Sequence, residues 1–442
     1  MTQDMTQGKI MPMLVHFTIP LVLGNLFQLT YNAVDSIIVG HFVGKEALAA
    51  VGICNPITTL FILFLNGLCM GASILIGMYY GAKEEEEKLA RQMSTTMLAG
   101  LVFSLVLTLV CIFFSPQILK FMQVDLSILN VTTIYLQIIF AGLVFTFLYN
   151  FFASTLRALG DSKSPLYFLI ISSILNIFGD LFFVVVLHAG SKGCAISTVI
   201  SEALCCLFCI LYIQKKVPLL QLGKKWLVFD ISLLKRTIAY GWASAMQQAT
   251  VQLGKLGIQM IVNTMGVSVV AAFTAVNRID DFAYTPEQNI AHSMTALMAQ
   301  NKGAGNNNRM QEGFRCGMVL EFIYGIFIFL VCFIFAKPLM CLFVQDEEVI
   351  MHGVIYLHLI SIMYILPAFT NGIQGFFRGI GDLKITLISS LVNMTVRVIV
   401  AAPLVFSLHL GIEALPYSYL AGWIGMLVAE LPLLIRTYKA YE

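Results

Sequence analysis

Runs of about 20 or more apolar residues follow one another along this chain, separated by short polar breaks. Each run is long enough to cross a ~30 Å hydrocarbon layer as a helix. Twelve lie near 13–40, 46–78, 92–114, 129–152, 165–188, 193–213, 236–263, 268–299, 314–335, 349–375, 385–407 and 411–434. The period-two alternation of a membrane β-barrel is missing, so helices are the spans this pattern allows. The chain is also written twice. Arg157-Ala158-Leu159-Gly160-Asp161-Ser162-Lys163 recurs 221 residues later as Arg378-Gly379-Ile380-Gly381-Asp382-Leu383-Lys384. In the same order, Ala49-Ala50, Gly81-Ala82 and Ile134-Tyr135-Leu136 pair with Ala271-Ala272, Gly303-Ala304 and Ile355-Tyr356-Leu357. The expected fold is an all-α polytopic membrane protein, with twelve transmembrane helices in two pseudo-symmetric six-helix lobes. The lobes are expected over 1–213 and 235–442, joined by a cytoplasmic linker at 214–234. Duplicated apolar lobes are the usual architecture of a secondary transporter.

Composition agrees with that class: 59% of residues are apolar and 11% charged, with a mean hydropathy of +0.86. The polar start, Met1 to Met13, has no cleavable-signal pattern. With the amino terminus inside, 19 of the 26 lysines and arginines fall in cytoplasmic segments. Lys45, Lys120, Lys192 and Lys337 fall outside, and Lys255, Arg278 and Arg397 lie within spans. This bias puts both termini in the cytoplasm. It also accounts for the basic loops, so nucleic acid is not among the expected partners. Membrane lipids are. The ten cysteines, including Cys205, Cys206 and Cys209, read as small packing residues. The acidic run Glu84 to Glu87 reads as a solvated helix start.

Charges within the spans carry more information, because a carboxylate at membrane depth costs ~2.5–3.5 kcal/mol and usually marks an ion or substrate path. At 1.5 Å per residue, Asp35 lies ~8 Å below the outer end of the first span and Asp180 ~12 Å below that of the fifth. Tyr135 and Thr198 lie ~9 Å deep in spans four and six, and Asn176 sits one turn below Asp180 on the same face. Five oxygen-bearing side chains from four helices thus share one layer. The second copy lacks most of it: Asp35 pairs with Ile258, Asp180 with Ala401 and Asn176 with Arg397, while Tyr135 keeps Tyr356. The layer reads either as carboxylates satisfied by their neighbours or as a cation site. For H⁺, one of two carboxylates sharing a pocket would carry the proton; for Na⁺, Asp35, Asn176, Asp180 and Thr198 would supply oxygens.

The second copy buries a different set, Lys255, Arg278, Asp280, Asp281, Glu287 and Arg397. These read either as mutually paired structural charges or as cavity groups that select an anionic or zwitterionic substrate. Gln28, Asn32, Asn150, Gln247, Gln248 and Gln252 are further cavity candidates, since amides at bilayer depth need a partner or water. No zinc-protease helix and no phosphate-binding loop is present, which argues against a metalloprotease and an ATP-driven pump, and no enzyme activity or cofactor is expected. Gly379-Ile380-Gly381-Asp382 matches one motif of intramembrane aspartyl proteases, but its Tyr-Asp partner is missing. A passive channel is disfavoured by the paired lobes and the lack of a repeated filter sequence.

Val34-Asp35-Ser36-Ile37-Ile38-Val39-Gly40 with Ala47-Leu48-Ala49-Ala50-Val51-Gly52 resembles the first-span signature of multidrug and toxic compound extrusion (MATE) transporters. Arg157 to Lys163, then Pro165 and Leu175-Asn176-Ile177 with Asp180, resembles their fourth-to-fifth span junction. The resemblance covers essentially the whole chain and is nearest to the bacterial DinF-like branch. It implies a cation-coupled antiporter of the bacterial cytoplasmic (inner) membrane, driven by H⁺ or Na⁺, that acts as a monomer and exports small organic, mostly cationic substrates by alternating access. It places the coupling site in the amino-terminal lobe at Asp35, Tyr135, Asn176, Asp180 and Thr198, and matches Pro20 to the proline at which the first helix bends. The chain departs from the Vibrio-type members, which place acidic ligands in the seventh span where Thr250 stands here. The alternative reading is a flippase for lipid-linked oligosaccharides, from the same broader superfamily.

Overall fold

The computed structural model describes residues 3–83, 86–220 and 228–441, and leaves the side chains of Asn32, Ser36, Lys45 and Glu86 outside the described set. Among the described residues every regular element is helical. The first copy forms α1 (Ile10–Ile38), α2 (Lys45–Ala82), α3 (Glu86–Phe121), α4 (Leu126–Ala158), α5 (Lys163–Leu181) and α6 (Gly190–Lys216). The second forms α7 (Ile231–Val262), α8 (Val267–Gly303), α9 (Asn307–Ile334), α10 (Ala336–Cys341), α11 (Glu347–Met363), α12 (Ile365–Gly379), α13 (Leu383–Phe406) and α14 (Ala414–Ala440). Among the described residues nine helices are long and apolar enough to span a membrane alone, and α11 with α12 makes a tenth. α7 and α8, at 32 and 37 residues, are long enough but carry the polar set Gln247 to Lys255 and Arg278 to Glu287. They complete two sets of six.

The chain packs as two compact units, Met1–Asp4 with Ile19–Ala245, and Met5–Thr18 with Met246–Glu442. α1 is therefore divided: its residues up to Thr18 belong to the second unit, and Pro20 stands two residues past that boundary. Inside the second unit the start of the chain is tied down by Thr18 Oγ1 donating to Ser293 Oγ (2.7 Å) and by the Met5 amide donating to Gln300 Oε1 (2.8 Å). Each unit has its own apolar core. Phe140, Phe147, Phe151 and Phe152 of α4 lead the first, and Phe273, Tyr356, Tyr364 and Trp423 the second. Large apolar side chains such as Leu109, Phe113, Phe178, Leu253, Met260 and Val428 lie on the surface, as lipid-facing helices require. Of the linker, 221–227 lies outside the described residues, and Pro218–Leu220 forms a 3₁₀ turn. Part of the acidic run, Glu84 and Glu85, likewise lies outside them.

The repeated sequence motif is a repeated turn. After α4 the amide of Gly160 donates to Arg157 O (3.0 Å) and that of Asp161 to Leu156 O (2.9 Å). After α12 the amides of Gly381 and Asp382 donate to Arg378 O and Phe377 O at 3.0 and 2.9 Å. This pair of bonds terminates a helix through a left-handed residue, with φ +83° at Gly160 and +79° at Gly381, so glycine recurs in both copies. Asp161 then opens α5 by accepting from the Ser164 amide (3.0 Å) and hydroxyl (2.7 Å), and from Tyr212 Oη (2.9 Å) of α6. Burial acts to raise the Asp161 pKa, but these donors outweigh it and hold the carboxyl below the usual range.

The copies differ where α4 runs unbroken but α11 and α12 meet at a 47° bend at Tyr364. Pro367 explains the break: it has no amide hydrogen for the Met363 carbonyl, and its ring crowds that turn. The equivalent position in α4 is Thr146.

Candidate functional site

The expected polar layer assembles within the first unit. Asp35 lies near the end of α1, Tyr135 in the amino-terminal half of α4, Asn176 and Asp180 on α5, and Thr198 on α6. Ligand atoms of Asp35, Asp180 and Cys194 lie within 4.8 Å of one another. Asn176 Nδ2 donates to Ser197 Oγ and Thr198 Oγ1, both at 3.4 Å, while Thr198 Oγ1 donates back to Cys194 O (3.0 Å). Ser197 Oγ donates to the Asn176 carbonyl (2.9 Å), which fixes α5 against α6 at this depth. Tyr135 is buried in the apolar core of the first unit.

The hydrogen-bond account does not close on protein groups alone. Asp180 is fully buried, and neither of its carboxyl oxygens receives a bond from a donor among the described residues. Asp35 Oδ1 and Asn176 Oδ1 are buried and equally without one. Four acceptor oxygens with no donor are costly in a low dielectric, and a proton or cation among them removes that cost. The oxygens are hard donors that suit H⁺ or Na⁺, and Cys194 adds one soft sulfur.

Sequence reasoning missed two features of this layer. Each aspartate stands just before a wide helical turn, Val39–Val43 after α1 and Phe182–Val186 after α5. Gly44 N donates to Val39 O (3.2 Å) and Leu187 N to Phe182 O (3.1 Å), the i→i−5 register of a π-helix, which is frequent at functional sites. The other is Glu202, one turn beyond Thr198 on α6, whose Oε2 accepts from Thr146 Oγ1 at 2.6 Å. A carboxylate in the sixth span, spaced i+4 from a layer residue, was a usable signal. Cys194 offered no such signal, since a lone thiol in an apolar span is ordinarily packing.

The cavity candidates separate. Gln247, Gln248, Gln252, Lys255 and Arg397 line one cavity of about 460 Å³ within the second unit, together with Asp280 and Asp281. Arg278 is exposed and lies off it, and Glu287 is fully buried beside it with Asn371 as donor (3.5 Å). Gln28 is exposed and Asn150 half-buried, both in the first unit, and the Asn32 side chain lies outside the described residues. Thr250 donates to the Met246 carbonyl (2.8 Å) and serves its own helix. Mutual pairing of the second-copy charges is not what forms: among the described residues no ion pair joins any of them. Asp280 Oδ1 instead accepts from Tyr364 Oη (2.5 Å), a donor that the bend after α11 presents to it.

The MatE family model matches residues 20–182 and 243–403, one match to each copy. The chain belongs to the MatE family. "Probable multidrug resistance protein YoeA" of Bacillus subtilis is 30% identical, over 100% of this chain and 95% of that one. "Probable multidrug resistance protein NorM" of Thermotoga maritima is 23% identical over 94% and 88%. Among solved structures, a MATE in complex with MaD3S superposes with TM-score 0.92 at 21% identity, covering 99% and 98% of the two chains. A Pyrococcus furiosus MOP superfamily transporter, described as having a binding pocket of reverse polarity, gives TM-score 0.91 at 22% identity over the same shares. The MatE chain has the fold of these structures and is a multi-pass membrane protein.

Proposed function

We propose that this MatE protein is a cation-coupled antiporter that exports organic compounds, cationic ones among them, by alternating access, with both termini in the cytoplasm. The observation that carries this reading is the set of unpartnered acceptor oxygens on Asp35, Asp180 and Asn176. A transported cation satisfies them only while bound, so occupancy changes the electrostatics of α1 and α5 together. Filled, the layer lets the two carboxyl groups stay close; emptied, it drives them apart. Pro20, where no i→i−4 bond can form, is where α1 can bend in response. The π-turns after Asp35 and Asp180 supply further freedom at the other side of the layer. At ~2.3 kcal/mol per charge per 100 mV, one or two inward-moving cations can support an outward gradient of cargo. That relatives carry the names multidrug resistance and multidrug export protein supports the cargo class.

The test is export of a fluorescent cationic dye from inverted vesicles, with pH and Na⁺ gradients imposed separately, for wild type and Asp35→Asn at matched expression. Gradient-driven transport that disappears in the variant is the expected result, and the effective gradient names the coupling ion. Undiminished gradient-driven export by Asp35→Asn would sink the reading.

A further inference from the structure

The 221-residue shift maps Asn176 onto Arg397, Thr198 onto Tyr419 and Glu202 onto Trp423. In the first unit the α5–α6 pair uses these positions for acceptor oxygens. In the second unit the equivalent α13–α14 pair holds a guanidinium over aromatic faces, with Arg397 Cζ 3.9 Å from the Tyr419 ring centroid and 4.9 Å from that of Trp423. Arg397 is 7% exposed, and its Nε has no hydrogen-bond partner. Among the described residues no carboxylate lies within ion-pair distance of it. A buried guanidinium without an anion is unusual, because the charge must otherwise be met by the aromatic faces alone.

The surroundings form a binding cavity rather than a packing defect. Arg397 opens onto the 460 Å³ cavity, into which Lys255 of α7 and Arg378 of α12 also project. Phe273 and Tyr284 join Tyr419 and Trp423 in its lining and give it an aromatic wall. The acidic groups are Asp280 and Asp281, and Asp280 is already engaged by the Tyr364 hydroxyl. His292 is the remaining titratable lining group apart from the tyrosines. The stem of Arg397 reaches the cavity across Gly422 of α14, where an added Cβ would stand 2.6 Å from Arg397 Cγ. The charge is therefore placed by packing at the wall of a cavity of small-molecule size.

We infer that the carboxyl-terminal copy of the polar layer is a recognition site for an aromatic organic anion, its carboxylate or sulfonate held by Arg397 with Lys255 and its rings against the aromatic wall. This goes beyond the coupling reading: the two copies of one helix pair carry sites of opposite polarity, one for a cation and one for an anion.

Purified full-length protein in detergent is titrated into fluorescein, an aromatic anion, and separately into rhodamine 6G, an aromatic cation, with anisotropy as the readout. Wild type binds fluorescein saturably. Arg397→Gln and Lys255→Gln each weaken that binding at least about 10-fold, as removal of one partner of a desolvated charged contact does, and leave rhodamine 6G binding unchanged. Lys255 is exposed to the cavity, so its variant tests the site even if Arg397→Gln fails to fold. Absence of saturable fluorescein binding to wild type, or wild-type affinity in Lys255→Gln, overturns the assignment. So does an equal loss of rhodamine 6G binding. No gradient is present, so failure here leaves cation coupling standing, and a vesicle experiment that defeats coupling leaves this site standing.

Discussion

Asp180→Asn is the most discriminating perturbation of the polar layer. The Asp35 and Asp180 carboxyl groups approach within 4.8 Å. Ionising both at that separation, with an effective dielectric of ~20, costs at least about 3.5 kcal/mol, or roughly 300-fold in an equilibrium constant. On the proposed coupling reading a bound cation cancels that cost, and relief of the repulsion contributes its affinity. Asparagine at 180 keeps the volume and removes the repulsion, and cation affinity should fall by about the same 300-fold. Asp180 makes no compensating hydrogen bond, so its replacement should not destabilise the cation-free protein. The assay is thermal unfolding of purified protein, titrated with NaCl against choline chloride at fixed pH, and with pH at fixed ionic strength. A ligand at 100 times its dissociation constant stabilises the folded state by about 2.7 kcal/mol, enough to read as a shift in Tm. Wild type should show that shift with one of the two cations, and Asp180→Asn should show neither shift nor loss of baseline Tm. Wild-type cation-dependent stabilisation in the variant, or its absence from wild type under both titrations, would refute the reasoning.

Two further outcomes are expected. Cys194→Ala should keep cation-dependent stabilisation within about threefold, because H⁺ and Na⁺ are held by oxygen rather than sulfur; its abolition would mean a soft metal in the layer. Asp161→Asn should lower stability at neutral pH by about 2 kcal/mol, the worth of a buried charged acceptor with several donors. The folded-state pKa of Asp161 is depressed, so its contribution is complete above the unfolded value of ~3.9 and is lost as pH falls through the folded one. Thermal unfolding across that acid range should show wild type converging on the variant, and parallel curves would contradict the assignment.

What the sequence made legible depends on how local the cause was. The spans could be read because a ~30 Å apolar layer demands long apolar runs, and the repeated turn because only glycine adopts φ near +80° cheaply. Asp35, Asn176, Asp180 and Thr198 could be placed in one layer because helical rise converts residue number into depth. The π-turns at Val39–Val43 and Phe182–Val186 could not, since one extra residue in a hydrogen-bonded ring leaves no signature in side-chain type. The bend at Tyr364 had a local cause in Pro367, yet the apolar run at 349–375 reads smoothly across it. The charges of the second copy were the hardest. Burial left Arg397 either paired with another charge or facing a cavity, and the structure sets it against Tyr419 and Trp423, an arrangement that depends on Gly422 clearing a path from the neighbouring helix.

The matched turns at Gly160 and Gly381 also bear on how such a molecule can evolve. In a homodimer of one six-helix protomer, each codon is used in both halves, so Asn176 could not change to arginine in one half alone. Joining the halves in one polypeptide gives each its own codons. The turns have remained alike because both halves must still fold, while the matched positions 176 and 397 have become free to carry different residues, asparagine in one half and arginine in the other.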